Sequence, residues 1–579
     1  MIKLLRLIKP YRMLIVLVLV LAFAQSLANL YLPTLMADIV DNGIVKQDTG
    51  YIWSVGGLML LVTLGGAIAS IAGSFFSSRV ATGFGKIIRG EIFNHVEQFS
   101  LHEFDQVSAA SLITRTTNDT TQVQQVLIMT LGFLVTAPMT LIVGVILAIQ
   151  QDATLSWILV VVMPILVGVI TLLMTKAIPL FRVMQVKLDK LNLILDEGLT
   201  GVRVIRAFDR VQHEEQRFDG ANLELTDVAI RVNRMIASMM PIMMLLLNVS
   251  SIAILWFGSH RIDSGDMQFG ALFAFLQYAM QILFALLMVS MLFIMLPRAA
   301  ASADRINEVL AIAPEIKDAR QVKQANEQRG YVEFQDVTFS YSGAEEPALS
   351  NISFSARPGQ VTAIVGSTGA GKSTLVNLIP RFYDVDSGHV LIDGVDVREM
   401  AQEHVRAKIG FAPQKAVLFS GTIAENIRYG KEDASDEEVR HAADVAQATE
   451  FIVNMKDGFD SVIAQGGMNL SGGQKQRLSI ARALVRKPEI YIFDESFSAL
   501  DFKTDALLRA ALKKETLDAT VFIVAQRVST VMDADQILVL DEGRMVGIGP
   551  HRELMQTCEV YREIVSSQLS VEEIAEKIA

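Results

Sequence analysis

Cysteine is almost missing from this sequence. Cys558 is the only one in 579 residues, so no disulfide can close within the chain and nothing points to an oxidising compartment. Charge is scarce too, at 20% of residues where a soluble protein carries about 25%. It is also unevenly spread. Residues 1–320 hold 24 basic and 24 acidic side chains, so the net charge of −11 lies wholly in the last 259 residues. No excess of positive charge is available to meet a phosphate backbone, which argues against nucleic acid as a partner. Disorder is excluded by the 51% hydrophobic content.

The missing charge is concentrated in six gaps. No Asp, Glu, Lys or Arg occurs in the 25 residues between Arg12 and Asp38, or in the 30 between Asp48 and Arg79. The same holds for 32 residues between Asp119 and Asp152, and for 23 between Asp152 and Lys176. Two more gaps lie further along, 26 residues between Arg234 and Arg261 and 31 between Asp266 and Arg298. A helix of about 20 apolar residues spans the hydrocarbon core. Barrel strands would alternate apolar and polar residues, and Trp157–Met174 does not. Six transmembrane helices are therefore expected, at about 13–37, 52–78, 122–149, 154–175, 235–259 and 268–297.

Links between the spans alternate short and long. The two long ones, Arg79–Asp119 and Lys176–Arg234, are helical in character, and each contains a break, near Ser100–Ser111 and near Phe208–Gln212. Lys3, Arg6, Lys9 and Arg12 crowd the N-terminus, and Arg203, Arg206, Arg210, Arg217, Arg231 and Arg234 crowd the second long link. The positive-inside rule then places both termini and both long links in the cytoplasm, in a multi-pass protein of the cytoplasmic membrane. Met1–Arg12, with basic and apolar residues interleaved, reads as an interfacial helix.

After residue 320 the character changes. Residues 321–330 read as a polar linker, and 331–579 alternate short β-like runs with helical segments, as an α/β domain does. Val361–Val365 is a strand by composition and runs into Gly366, Ser367, Thr368, Gly369, Ala370, Gly371, Lys372, Ser373 and Thr374, with a helix behind. This is the G-x-x-x-x-G-K-[ST] phosphate loop in its strand–loop–helix setting. Its glycines let backbone N–H groups turn toward phosphate oxygens, Lys372 is placed for the β- and γ-phosphates, and the Ser373 hydroxyl for Mg²⁺. A second apolar strand, Glu489–Phe493, ends in Asp494 and Glu495. The first carboxylate suits Mg²⁺ and the second can polarise an attacking water.

Leu470, Ser471, Gly472, Gly473 and Gln474 precede a helix, and a hydroxyl with glycine N–H groups there forms a second anion site. This segment resembles the signature sequence of ATP-binding cassette proteins, which acts in trans by closing over nucleotide on a partner domain. The resemblance implies further roles. Tyr341 matches the aromatic residue that stacks on adenine, and Gln414 the glutamine that touches Mg²⁺ and the membrane domain. Ser498, Ala499, Leu500 and Asp501 match the loop crossing the dimer interface. Phe104–Asp119 and Val204–Phe218 resemble the coupling-helix segments. The layout as a whole, a six-helix membrane domain of exporter type followed by one α/β cassette, is similar to half transporters, which must dimerise to sandwich two ATP molecules.

Two positions depart from the family pattern. Gln526 stands where the switch His is usual, and Gln465 precedes the signature where Glu is common. Gln can hydrogen-bond a γ-phosphate but carries no charge and shuttles no proton. In this family such a Gln resembles the weaker-site subunit of a heterodimeric exporter, so a second, homologous half transporter is the expected partner, while Glu495 is retained. Polar Gln25, Asn29, Asn248, Gln277 and Gln281 at membrane depth suggest an interior cavity. Met235, Met239, Met240, Met243, Met244, Met280, Met288, Met291 and Met295 fit either an adaptable apolar site or ordinary packing. The expectation is ATP- and Mg²⁺-dependent export of amphipathic small molecules through lipid. The alternatives are a lipid or lipid-linked flippase, an ATP-gated channel or sensor, and an importer on the same fold.

Overall fold

The computed structural model describes residues 2–319, 321–323 and 329–569. Side chains at 2, 290, 291, 293 and 294 lie outside the description, as do half of the expected linker 321–330, residues 324–328, and the last ten residues. The chain divides into two compact units, one of Met1–Glu97 with Ala109–Ile312 and one of Gln98–Ser108 with Ala313–Ala579.

The first unit contains six helices long and apolar enough to cross a membrane. They belong to the helical stretches Arg12–Asp38, Thr49–Val96, Thr120–Gln151, Ser156–Thr200, Val211–Asp263 and Phe269–Ala311. Four of them run well past the roughly 30 Å that hydrocarbon needs. Their outer faces are apolar and uncovered: Leu60 is 73% exposed, Ile71 71% and Trp157 69%. Lipid is the solvent that removes the cost of such faces. Between the helices, Phe275, Tyr278 and Ile282 pack with Leu30, Ala148, Leu155 and Ile254 in one core. Every spanning helix except the second contains a proline. Such breaks are tolerated where neighbouring helices and side chains take up the freed carbonyls.

The N-terminal segment is a turn of α-helix, Ile2–Leu5, and then a 3₁₀ helix, Arg6–Tyr11, rather than one regular interfacial helix. Pro10 has no N–H to continue a ladder there. A π-helical stretch, Arg115–Asp119, opens the third spanning helix. Its Asp119 is 2% exposed and accepts from Ser302 at 2.9 Å and from the Arg305 guanidinium, which clasps the third spanning helix to the sixth.

Both long links break into a short helix, at boundaries that differ from those expected. Leu101–Val107 starts earlier than Phe104 because Ser100 and Glu103 form a capping box, and it stops at Ser108, whose φ is 62°. From Ala109 to Asp119 the backbone is helical again and runs directly into the third spanning helix. In the second link the short helix is Val202–Ala207, closed by Asp209 at φ 51°, and the remainder of Val204–Phe218 opens the fifth spanning helix.

The second unit is built on a six-stranded sheet. Its order is Arg544–Gly549, Gln536–Asp541, Val361–Gly366, Thr520–Val524, Ile490–Asp494, Ile409–Ala412, with only the first pair antiparallel. A four-stranded antiparallel sheet runs Leu349–Ala356, Val332–Phe339, Ser387–Ile392, Val395–Asp396. The central strands Ile490–Asp494 and Thr520–Val524 are buried along their whole length, as parallel strands covered on both faces must be. Ile364, Val524 and Asp494 lie in one register across three neighbouring parallel strands. The loops leaving those strands therefore emerge together at their carboxyl ends, where open α/β sheets place their ligands.

Candidate nucleotide site and membrane cavity

The loop after Val361–Gly366 curls through two left-handed glycines, Gly369 at φ 87° and Gly371 at φ 92°. A Cβ on Gly371 would stand 2.8 Å from the Ala348 carbonyl oxygen and from Leu349, so only glycine fits. Gly371 caps the helix Lys372–Leu378 and turns its first N–H groups into the loop. Ala370 is buried, while Ser367, Thr368 and Gly369 stand at the exposed rim.

Lys372 is 6% exposed and folds back over the loop, donating to the carbonyls of Gly366 at 3.1 Å and Ser367 at 2.8 Å. Burial lowers its pKa, with the carboxylates of Glu495 and Asp494 pulling the other way. An ammonium so poorly solvated gains most from an anion in the loop. Ser373 donates from Oγ to Asp494 Oδ1 at 3.0 Å. Burial and the neighbouring Glu495 raise the pKa of Asp494, against the lowering effects of Ser373 and Lys372.

Glu495 is 7% exposed and sits in the left-handed region at φ 47°, a conformation that is uncommon for a side chain of this size. Its N–H donates to the Val524 carbonyl at 3.0 Å, and its own carbonyl accepts from Ser498 Oγ at 2.9 Å, so both neighbours fix the turn. Three amide hydrogen bonds converge on its carboxylate. Gln414 Nε2 donates at 2.6 Å, and Gln526 Nε2 reaches Oε1 at 2.9 Å and Oε2 at 3.0 Å. A carboxylate aimed in this way can accept a proton from water. Gln526 approaches as a neutral donor, where an imidazolium would bring a charge.

Among the described residues no group of three or more His, Cys, Asp or Glu is placed to hold a metal by itself. The pair Ser373 and Asp494, with Gln414 close by, offers an incomplete oxygen set of the kind Mg²⁺ takes when phosphates and water finish its shell. The donor chemistry therefore fits Mg²⁺.

Tyr341 is 41% exposed, its hydroxyl is 2.9 Å from Thr374 Oγ1, and Phe339 and Tyr383 meet it edge to face. The ring is thus partly open at the end of the loop. Burial, Tyr341 and the charge of Asp105 in the short helix Leu101–Val107 push the Tyr383 phenol up to about 12. Glu103 anchors that helix. It accepts from the Ser100 N–H at 2.6 Å and hydroxyl at 2.7 Å, and from the Glu315 N–H at 2.9 Å.

The signature residues lie at the start of another helix, Gly472–Leu484. Ser471 caps it in a box with Gln474, and both Ser471 and Gly472 are exposed, while Leu470 is buried beneath them. A Cβ on Gly473 would press to 3.0 Å on the Ala499 carbonyl, and Gln476 accepts the Ala499 N–H at 3.1 Å. Ser498 and Ala499 are exposed, Leu500 is buried, and Asp501 caps the next helix. The signature and the Ser498–Asp501 loop thus form one exposed edge.

The membrane unit holds a cavity of about 910 Å³. Gln25 and Asn29 from the first spanning helix and Gln277 and Gln281 from the sixth line it, as the sequence suggested, together with Met280 and Met288, whereas Asn248, expected with them, is exposed on the fifth helix and does not line it. The other methionines serve differently. Met243 is buried in a packed cluster with Leu166, Ile170 and Leu283, and Met240 and Met244 face outward. Ser26, Thr136 and Thr140 line the cavity without having been singled out, because hydroxyls at membrane depth usually satisfy their own helix and leave no trace in hydropathy.

Residues 15–287 match the ABC transporter transmembrane region and residues 349–498 the ABC transporter ATP-binding family. An uncharacterized ABC transporter ATP-binding protein of Mycobacterium tuberculosis is 45% identical, over 97% of both chains. A putative multidrug export ATP-binding/permease protein of Bacillus subtilis is 31% identical over 97% of this chain and 98% of its own. An ATP-dependent lipid A-core flippase of Syntrophus aciditrophicus is 32% identical over 87% of this chain and 83% of its own. Among solved structures, a bacterial Atm1-family ABC exporter with ATP bound is similar with a TM-score of 0.80 at 25% identity, covering 97% of this chain and 99% of that one.

Proposed function

We propose a function for this chain from the premise that it belongs to the ABC transporter family, as an exporter-type half transporter whose cassette is an ATPase coupled to transport. The function is ATP-driven export of amphipathic small molecules across the cytoplasmic membrane, with both termini and the cassette on the cytoplasmic side. The observation that carries the reading is the large cavity within the membrane unit, apolar in the main, ringed by amides and hydroxyls and free of charged side chains. Amphipathic ligands need that mixture.

In this reading Lys372 and the loop N–H groups grip the β- and γ-phosphates, and Tyr341 stacks on the base. Ser373, Asp494 and Gln414 hold Mg²⁺, which when bound neutralises charge on the phosphates. Glu495 takes a proton from the attacking water, and Gln526 keeps its carboxylate aimed. Leu470–Gln474 complete the partner's site in trans, and Ser498–Asp501 run along the dimer interface. The short helices Leu101–Val107 and Val202–Ala207 carry the movement to the cassettes. Val204 and Phe208, 60% and 73% exposed beyond membrane depth, are apolar surfaces suited to a second subunit. A homologous but different partner is favoured by Gln526, since an uncharged switch residue suits a slower site paired with a faster one.

Lipid flipping is the second reading, favoured by the likeness to a lipid A-core flippase over 87% of this chain. Reconstitution in vesicles separates the two. Export predicts ATPase activity stimulated by varied lipophilic compounds with no movement of labelled lipid. ATP-dependent lipid movement without such stimulation would favour flipping.

A further inference from the structure

The cavity sees no ionisable side chain: none of its lining residues is Asp, Glu, Lys, Arg or His. A charged ligand drawn in from water would lose its hydration without gaining a counter-ion, and that loss is large inside a membrane. The ring faces of Phe133 and Phe284 would return only part of it to a cation, and nothing to an anion.

What the wall does offer is neutral hydrogen bonding, from amides and from hydroxyls that include the more open Ser70 and Ser74 of the second spanning helix. Thr136, Thr140 and Ser251 also line the cavity, but their hydroxyls donate to carbonyls of their own helices, at 2.9, 2.8 and 2.9 Å. Ser26 does not. It is 2% exposed, and its hydroxyl has no hydrogen-bond partner among the described residues. An unpaired buried hydroxyl is unfavourable, the more so where lipid rather than water surrounds the helix. Asn29 stands one turn along the same helix, and Gln281 Nε2 reaches the Asn29 carbonyl only at 3.4 Å, a long bond easily exchanged.

We propose that this cavity selects electrically neutral amphiphiles bearing a hydroxyl, carbonyl or amide group over cations and anions of the same shape, and that Ser26 receives that polar group. A serine hydroxyl both donates and accepts, so it matches alcohols, carbonyls and amides alike. The proposal rests on the export reading above and narrows its substrate class.

The test uses the full transporter, as it assembles in the membrane, in lipid nanodiscs. Three fluorescent probes share one alkyl skeleton and end in a primary amide, a trimethylammonium or a carboxylate, with protein-free discs supplying the partition background. The amide probe should bind at least about ten-fold tighter than either ion. Ser26→Ala should weaken amide binding about five-fold, the loss of one neutral hydrogen bond, and leave the ionic probes unmoved. Gln281→Glu should raise affinity for the trimethylammonium probe, because it adds the missing counter-ion. Equal or tighter binding of either ion to the unmodified transporter overturns the proposal, whatever the variants do. ATP-driven movement of all three probes at one rate overturns it too, yet leaves the export reading intact. ATPase activity indifferent to every probe, with labelled lipid moving instead, removes the export reading itself.

Discussion

Glu495 is held by more partners than any other carboxylate at the nucleotide site, with Gln414 and Gln526 on its oxygens, Val524 on its N–H and Ser498 on its carbonyl. Glu495→Gln keeps the shape and removes the proposed base. Turnover at the site should fall by roughly 10²–10⁴-fold, while retained labelled ATP, counted after rapid filtration, should not fall at all. Lys372→Ala acts at the earlier step. The buried ammonium has only two backbone carbonyls to replace the phosphates, so its loss should reduce photo-crosslinking of labelled ATP to this chain, with thermal stability of the empty protein little changed. The two variants thus separate binding from hydrolysis. Gln526 could be read from the sequence only as a departure from a pattern. That it meets Glu495 through both oxygens depends on two parallel strands, Ile490–Asp494 and Thr520–Val524, lying side by side, and no local spacing reveals that pairing.

The short helix Leu101–Val107 shows how one side chain can fasten an element. Burial alone would raise the pKa of Glu103, but the hydroxyl and N–H of Ser100 and the N–H of Glu315 outweigh it and hold the carboxyl below its ordinary 4.5. A lowered folded-state pKa means the stabilisation is complete above about pH 4.5 and is lost as pH falls through the lower value. Amide exchange over residues 101–107 should therefore quicken as the pH is taken below 4.5, and Glu103→Gln should remove most of that dependence. Asp119 makes a parallel case in the membrane unit. Arg305→Leu would leave its buried carboxylate with Ser302 alone, and should destabilise by about 2 kcal/mol, below the figure for a fully buried pair because Arg305 is half exposed. A detergent melting curve of that variant reads the loss directly.

Elements differ in how far their own residues announce them. The spanning helices were legible because absence of charge over 23 or more residues has one physical explanation in a chain this apolar. The phosphate loop was legible because glycine, lysine and serine at fixed offsets have one use after a buried strand. The Asp119–Arg305 clasp, the Glu103 anchor and the cavity hydroxyl of Ser26 were not, since each joins residues far apart in sequence or turns on a rotamer. The methionine-rich fifth span was ambiguous for a related reason. Periodicity says that a helix has faces, and only the packed bundle decides that Met243 turns inward while Met240 and Met244 turn out.

Taken whole, the chain carries a complete phosphate loop with its own carboxylates and, on a separate exposed edge, the Leu470–Gln474 signature. In the proposed assembly that edge acts on a partner, so each ATP site is built from both chains. If the partner is a homologous but different chain, Ser471→Arg here, which puts a bulky cation on the partner's site, should abolish most ATPase activity. Gln526→Ala, acting on this chain's slower site, should reduce it far less. A stable assembly of this chain alone, with both changes equally damaging, would contradict the unequal pairing without touching the transport account.

The most direct trial of that account is ATP-driven accumulation of a neutral lipophilic fluorophore in inside-out membrane vesicles that contain the assembled transporter. Uptake that requires hydrolysable ATP, and that falls to background when Glu495→Gln is introduced, is the predicted result. Uptake unchanged by Glu495→Gln, or a fluorophore that only re-equilibrates with no gradient built, would contradict it.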